Sequence, residues 1–160
     1  MNIMPSTGLF PAVVPGAFDA WMLLLRDFGT RSLADVLVPA IEYARDGIPL
    51  SHEAIELIKK SAERFRSEWT ALAQIYLPNG EIPEPGTLLH MPPLAETYAA
   101  LLANAKAVSS QREKQIEAAR NSFYRGFVAE RIGKLVANPS STEGTLMCEP
   151  GLLSAQDLAE

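Results

Sequence analysis

Reactive and metal-binding side chains are scarce in this sequence. Its 160 residues hold one cysteine, Cys148, and two histidines, His52 and His90. One cysteine excludes an internal disulfide, and fits a reducing compartment without establishing one. A nucleophilic cysteine needs a histidine partner in a recognisable context, and neither histidine has one. Cys148 therefore reads as a free thiol in a loop or a small core filler. The histidines share no ligand spacing such as H-E-x-x-H, so no metal ligand is assigned. Gly126 and Gly133 have neither the spacing nor the lysine of a phosphate loop. No G-x-S-x-G elbow is present.

Long apolar runs are missing too. Nothing approaches the ~18 residues that a membrane span requires. The first eighteen residues are uncharged. They lack the basic start of a secretory signal, and Pro5, Pro11 and Pro15 interrupt them. The compartment stays open, cytoplasmic or exported. Positive charge is sparse, with 14 Lys and Arg against 19 Asp and Glu, for a net charge of −5. The longest basic cluster is Lys59-Lys60, so no nucleic-acid partner is expected.

What is present is a globular composition, 48% hydrophobic and 21% charged, at about one domain's length. Such a chain buries roughly two-thirds of its unfolded surface. The most complete local pattern runs from Val14-Pro15-Gly16 to Phe28-Gly29. Phe18, Trp21, Met22, Leu25 and Phe28 recur at helical spacing and predict a helix with those residues in the core. Pro15 suits its first position and Gly29 its left-handed stop. Before it, Leu9–Val14 reads as a short strand, held to an edge or bend by Pro11.

A second helix follows, capped by Ser32 with Asp35 in its first turn. Leu33, Val36, Leu37, Ala40, Ile41 and Ala44 give its spacing. Pro39 predicts a kink, and Gly47 a stop. Ser51 opens a third helix faced by Ile55, Ile58, Ala62, Phe65 and Trp69, with His52 solvated in its first turn. Pairs four apart, Glu56 with Lys60 and Lys59 with Glu63, lie on the wet side. Ile75–Leu77 and Thr87–His90 look extended around Pro78-Asn79-Gly80, and predict a small hairpin or covering loop. Met91-Pro92-Pro93 introduces a helix faced by Leu94, Tyr98, Leu101, Leu102 and Ala105. Ser110 with Glu113 reads as a capping box for a helix carrying Ile116, Ala119 and Phe123. Val128, Ile132, Leu135 and Val136 continue beyond Gly126. Residues 138–151 read as a loop, and Ser154 with Asp157 caps a last turn.

The expected class is therefore mainly α: about six helices, a short strand and a hairpin. Leu158 and Ala159 open an apolar face with nothing after it, and the first strand has no visible partner. Both ends read as cuts through a larger fold. Carboxylates such as Glu42 and Asp46 read as a solvated helix face. No catalytic constellation stands out.

Several segments, in order, resemble the gamma-glutamyltranspeptidase family (gamma-glutamyltransferase/glutathione hydrolase). They are Val14-Pro15-Gly16 with Trp21; Phe28-Gly29-Thr30; and Leu33, Val36, Leu37, Pro39, Ala40, Ile41, Ala44 and Gly47 in register. Leu77-Pro78-Asn79-Gly80 with Pro83, Pro85 and Gly86 follows, then Leu94-Ala95 with Thr97. Last come Phe123-Tyr124-Arg125-Gly126 with Ala129, Glu130 and Ile132, and Gly151-Leu152-Leu153 with Asp157-Leu158-Ala159. Pro150 stands where the family has the first glycine of a pair. Ser109–Ala119 is longer than in the best-known members, and resembles a bacterial and fungal subgroup.

The resemblance implies an N-terminal nucleophile hydrolase, an αββα sandwich whose precursor cuts itself. The freed threonine is nucleophile and, through its amine, general base. Backbone N–H groups hold the oxyanion. The gamma-glutamyl group of a glutathione-like substrate passes to water or an amino acid. By the resemblance, the threonine and the oxyanion glycines lie downstream of this segment, and the arginine for the substrate α-carboxylate lies upstream. No catalytic, cofactor-binding or metal-binding residue is carried over, and no cofactor is implied. Thr142 and Thr145 lack the motif and are not read as nucleophiles. Residues 1–160 are expected to form one helical segment of the large-subunit portion, inactive alone. Its partners would be the rest of that subunit and the small catalytic subunit. Two alternatives stay open: a free-standing helical interaction module, and a full-length relative that has lost its nucleophile.

Overall fold

A computed structural model describes residues 8–139 and 150–160. Thr142, Thr145, Cys148, the first seven residues and most of the expected 138–151 loop lie outside the described residues. Eight α-helical segments are present among those described: α1 (Ala17–Phe28), α2 (Leu33–Asp46), α3 (His52–Ser67), α4 (Thr70–Tyr76), α5 (Pro92–Val108), α6 (Arg112–Tyr124), α7 (Phe127–Ala137) and α8 (Ala155–Ala159). Two two-residue strands, β1 (Ile48–Pro49) and β2 (Leu88–Leu89), pair antiparallel, Ile48 opposite Leu89.

The main core lies among α1, α2, α5, α6, α7 and α8. Phe18, Leu33, Leu101, Ala105, Ile116 and Ala119 are among its buried residues. Small residues at Ala105 and Ala119, both fully buried, leave room for α5 and α6 to pack closely. Leu158 of α8 is buried in the same core. It does not open an uncovered face, because α8 folds back on α7 and α6.

A second core belongs to α3 and α4. Ile55, Ile58, Ala62, Phe65 and Leu77 are buried there, with Trp69 and Tyr76 packed against them. The predicted hairpin is corrected here. Ile75 and Tyr76 end α4 rather than forming a strand. The strand at Leu88–Leu89 finds its partner in Ile48–Pro49. Period alone cannot separate a short apolar strand from the end of a short helix.

The predicted strand at Leu9–Val14 is absent. Ala12 N–H donates to Leu9 C=O in a turn, and an irregular stretch leads to α1. Helix α1 begins at Ala17 with Gly16 as its cap, two residues after the expected Pro15. Gly29 does end α1, but its φ is −84°. What it requires is space: a Cβ there would sit 2.8 Å from Leu25 C=O. Gly47 ends α2 with φ of +98°, where a side chain is strained. Helix α2 runs on through Pro39. Ser32 with Asp35 and Ser154 with Asp157 form capping boxes, and Ser51 Oγ accepts from Ala54 N–H. The expected box at Ser110 is not formed. Gln111 is the cap of α6, and Ser109 Oγ accepts from Gln111 N–H instead. Lys59 pairs with Glu56, three residues back, rather than with Glu63.

Candidate functional site

Two of the sequence motifs meet at the start of α1. Tyr124, at the end of α6, projects its hydroxyl to the Val-Pro-Gly turn. It donates to Pro15 C=O at 2.6 Å and accepts from Asp19 N–H at 2.9 Å. The Asp19 N–H is one of the unpaired donors of a helix's first turn, so Tyr124 serves as its cap. Phe123 stacks on Phe18, with centroids 4.5 Å apart and planes 12° apart. The Phe-Tyr-x-Gly and Val-Pro-Gly motifs are thus one contact, across more than a hundred residues.

Charged groups continue this junction. Arg120 Nε donates to Asp19 Oδ1 at 2.6 Å, and its Nη1 to Glu117 Oε2 at 2.8 Å. Arg26 reaches the same Glu117 oxygen at 3.2 Å. The hydrogen bond that Arg120 donates to Asp19 holds its guanidinium charged, its pKa raised further from the usual arginine range. Burial pushes the Tyr124 hydroxyl up, so it stays protonated and is no base at neutral pH. A cavity of about 350 Å³ lies alongside, lined by Val14, Gly16, Asp19, Arg120, Tyr124 and Asp157 among others. Asp157 is committed to capping α8, and Arg120 and Asp19 to each other. The described residues leave no buried side-chain polar atom without a partner. The arrangement fastens α6 to α1.

The opposite end of α1 is fastened by Arg112. Its guanidinium donates to Leu25 C=O, to Arg26 C=O at 3.3 Å, to Gly29 C=O at 2.7 Å and to Arg31 C=O at 2.8 Å. Arg26 C=O is an orphan of the helix C-terminus, Leu25 C=O already accepts from Gly29 N–H, and Gly29 and Arg31 lie just past the last turn. A cation there is also favoured by the helix dipole. The Phe-Gly-Thr motif is therefore the seat of Arg112. The Gly-Leu-Leu motif is a close approach: Gly151 N–H donates to Val136 C=O at 3.0 Å, and a Cβ on Gly151 would meet Leu9 C=O at 2.6 Å.

A third feature is apolar. Phe18, Met22, Leu25, Leu37 and Tyr98, with Trp21, Val36 and Ala40, line a groove of about 250 Å³ between α1, α2 and α5. Trp21 and Phe28 do not enter the core as expected; they are 60% and 82% exposed.

The histidines stay apart from all this. His52 is exposed at the start of α3. His90 Nδ1 lies 3.0 Å from Arg45 C=O. No cluster of three or more metal-ligating side chains occurs among the described residues. No described helix is long and apolar enough to cross a membrane. The roles of Arg112 and Arg120 were not legible in the sequence. Their only signal was two long cations on the helix that carries the Phe-Tyr-x-Gly motif.

These motifs have counterparts in known proteins. The chain is 32% identical over 141 residues to the glutathione hydrolase-like YwrD proenzyme of Bacillus subtilis (strain 168), covering 88% of this chain and 24% of that protein. It is 31% identical over 129 residues to the oxamate amidohydrolase proenzyme of Klebsiella pneumoniae, covering 78% of this chain and 22% of that protein. The solved structure of LmbA2991HD matches at 45% identity and a TM-score of 0.88, over 99% of this chain and 27% of that one. The chain thus spans about a quarter of the length of the relatives it matches. The family model for gamma-glutamyltranspeptidase matches residues 2–160, and with these motifs joined in the fold, the chain belongs to the gamma-glutamyltranspeptidase family.

Proposed function

We propose that this chain is the helical segment of the large-subunit portion of a gamma-glutamyl hydrolase or transferase, within a larger αββα precursor that processes itself. The observation that carries this reading is family membership across residues 2–160, with relatives that are proenzymes more than three times as long. The chain's task is support. It holds α1 and its Val-Pro-Gly turn rigidly between Tyr124 and Arg112, as a site built by other segments requires. The chemistry would come from a threonine outside this chain, acting as nucleophile with its own amine as base. The acyl group would pass to water or an amino acid. Relatives named for glutathione and for oxamate share amide-bond hydrolysis as the coarser activity. The gamma-glutamyl substrate is the finer proposal.

The test is release of a chromogenic amine from a gamma-glutamyl anilide by the larger polypeptide that carries this segment, and by the 160-residue chain alone. The larger polypeptide should turn over only after splitting at its threonine, and the chain alone should be inert. Turnover by the 160-residue chain would overturn the reading.

A second reading, a non-catalytic helical interaction module, draws support from the closed core around Leu158 and the satisfied caps. It expects a stable, monodisperse product of 160 residues and no activity in any longer form.

A further inference from the structure

Helix α1 carries two apolar stripes. One, Phe18, Met22 and Leu25, faces the core. The other, Trp21, Leu24 and Phe28, recurs at i, i+3 and i+7 and is exposed. Helix α2 repeats the pattern. Leu33, Leu37 and Ala44 are buried, while Val36, Ala40 and Tyr43 form a second stripe. Trp21, Val36 and Ala40 line one groove, so the two stripes flank a common surface.

The exposure is large. Trp21 is 60%, Phe28 82% and Tyr43 64% exposed. At aromatic areas of about 150–250 Å² each, these three expose roughly 300–500 Å². That already equals the largest apolar patch of an ordinary monomer, about 300–600 Å². With Leu24 at 60% and Val36 at 39% exposed beside them, the apolar surface still falls short of the ~800 Å² per partner that a stable dimer buries. An intramolecular partner escapes the translational and rotational cost of association, so a smaller patch suffices. About three-quarters of the length of the relatives lies outside the matched region.

We infer that the surface of Trp21, Leu24 and Phe28 on α1 with Val36 and Tyr43 on α2 is the seat for an apolar segment from the remainder of the same precursor. This rests on the precursor reading above. It adds which face is covered, and by what class of partner: a stretch of the same polypeptide rather than a second copy.

Tryptophan fluorescence tests it. The chain has two tryptophans, Trp21 and Trp69, so Trp69→Phe leaves Trp21 as this segment's reporter, and the same polypeptide with Trp21→Phe added supplies the signal to subtract for the rest of the larger form. In the 160-residue chain Trp21 should emit as a solvated indole and be quenched freely by acrylamide, at every protein concentration. In the larger polypeptide its emission should shift to the blue and quenching should fall severalfold. Should Trp69→Phe disturb the fold, Phe28→Cys in a Cys148→Ser background, reacted with a maleimide and read by peptide mass at position 28, gives the same comparison by labelling rate. Equal quenching and labelling in both forms would overturn the docking inference and leave the precursor reading standing. Protection that grows with concentration of the 160-residue chain would overturn it in favour of a second copy. If native material yields no polypeptide longer than 160 residues, both fall together.

Discussion

The bundle and the α3–α4 lobe differ in how they are tied. In the bundle, polar side chains reach across helices: Tyr124 to Pro15, Arg120 to Asp19, Arg112 to the end of α1. In the lobe, aromatic packing dominates. Phe65 stacks on Tyr76 at 5.7 Å and tilts against Trp69 at 6.1 Å. The lobe joins the bundle through the short β1–β2 pair and Leu50 N–H to Thr87 C=O. Directional, charge-assisted bonds add geometric specificity to the angle between two helices, whereas the lobe is fixed by the close packing of its rings. The difference teaches that the bundle's geometry rests on a few polar ties between helices and the lobe's chiefly on packing.

The largest effect should come from the cores. Leu101→Ala removes a fully buried side chain from the bundle and should cost about 2–5 kcal/mol, seen as a fall in the urea midpoint of the whole chain. Phe65→Ala should cost about 3–5 kcal/mol within the lobe. In hydrogen exchange it should strip protection from α3 and α4 while α5 and α6 keep theirs. Loss of protection in both regions would erase the distinction between them.

Arg112→Ala comes next. Four carbonyls lose the guanidinium, Leu25 C=O keeping a second donor in Gly29 N–H, and the cost should be about 1–3 kcal/mol. Arg112→Lys should recover less than half, because an ammonium cannot reproduce the planar fork. Full recovery by lysine would mean that charge alone matters at the end of α1. Tyr124→Phe is smaller, about 0.5–1.5 kcal/mol in thermal unfolding. It removes one hydroxyl and leaves Phe123 stacked on Phe18.

Much of this fold was legible in the sequence because helical spacing is a strong signal. The buried stripe of α3, Ile55, Ile58, Ala62 and Phe65, follows directly from it. Trp21 and Phe28 were not legible. Helix α1 is apolar over more than half its circumference, and the pattern cannot say which stripe finds a partner. The strand at Leu88 was read correctly, but its partner, forty residues back, was not. Pairing depends on where α2 and α5 bring the chain. Gly29 was placed correctly for the wrong reason: a close backbone approach leaves no mark distinct from a left-handed cap. Of the junction, the motifs gave Pro15 and Tyr124, and nothing in the spacing gave their contact.

The smallest effect is electrostatic. The hydrogen bonds from Ser32 hold the Asp35 carboxyl below the usual range, and those from Ser154 do the same for Asp157. An acid depressed in the folded state adds stability that is complete above its unfolded value, about 3.9. That stability fades as pH falls through the lower folded value. Acid titration of the urea midpoint should therefore decline below about pH 4, and decline less in Ser154→Ala. An unchanged acid profile in that variant would show that the α8 cap contributes nothing.

The most direct test of the central claim is the intact mass of the native product that carries this segment. The account predicts a polypeptide well above 17.4 kDa, split from a longer precursor with a threonine at the new N-terminus of its companion chain. A native product of 17.4 kDa, with no companion, would contradict it and leave the helical interaction module in its place.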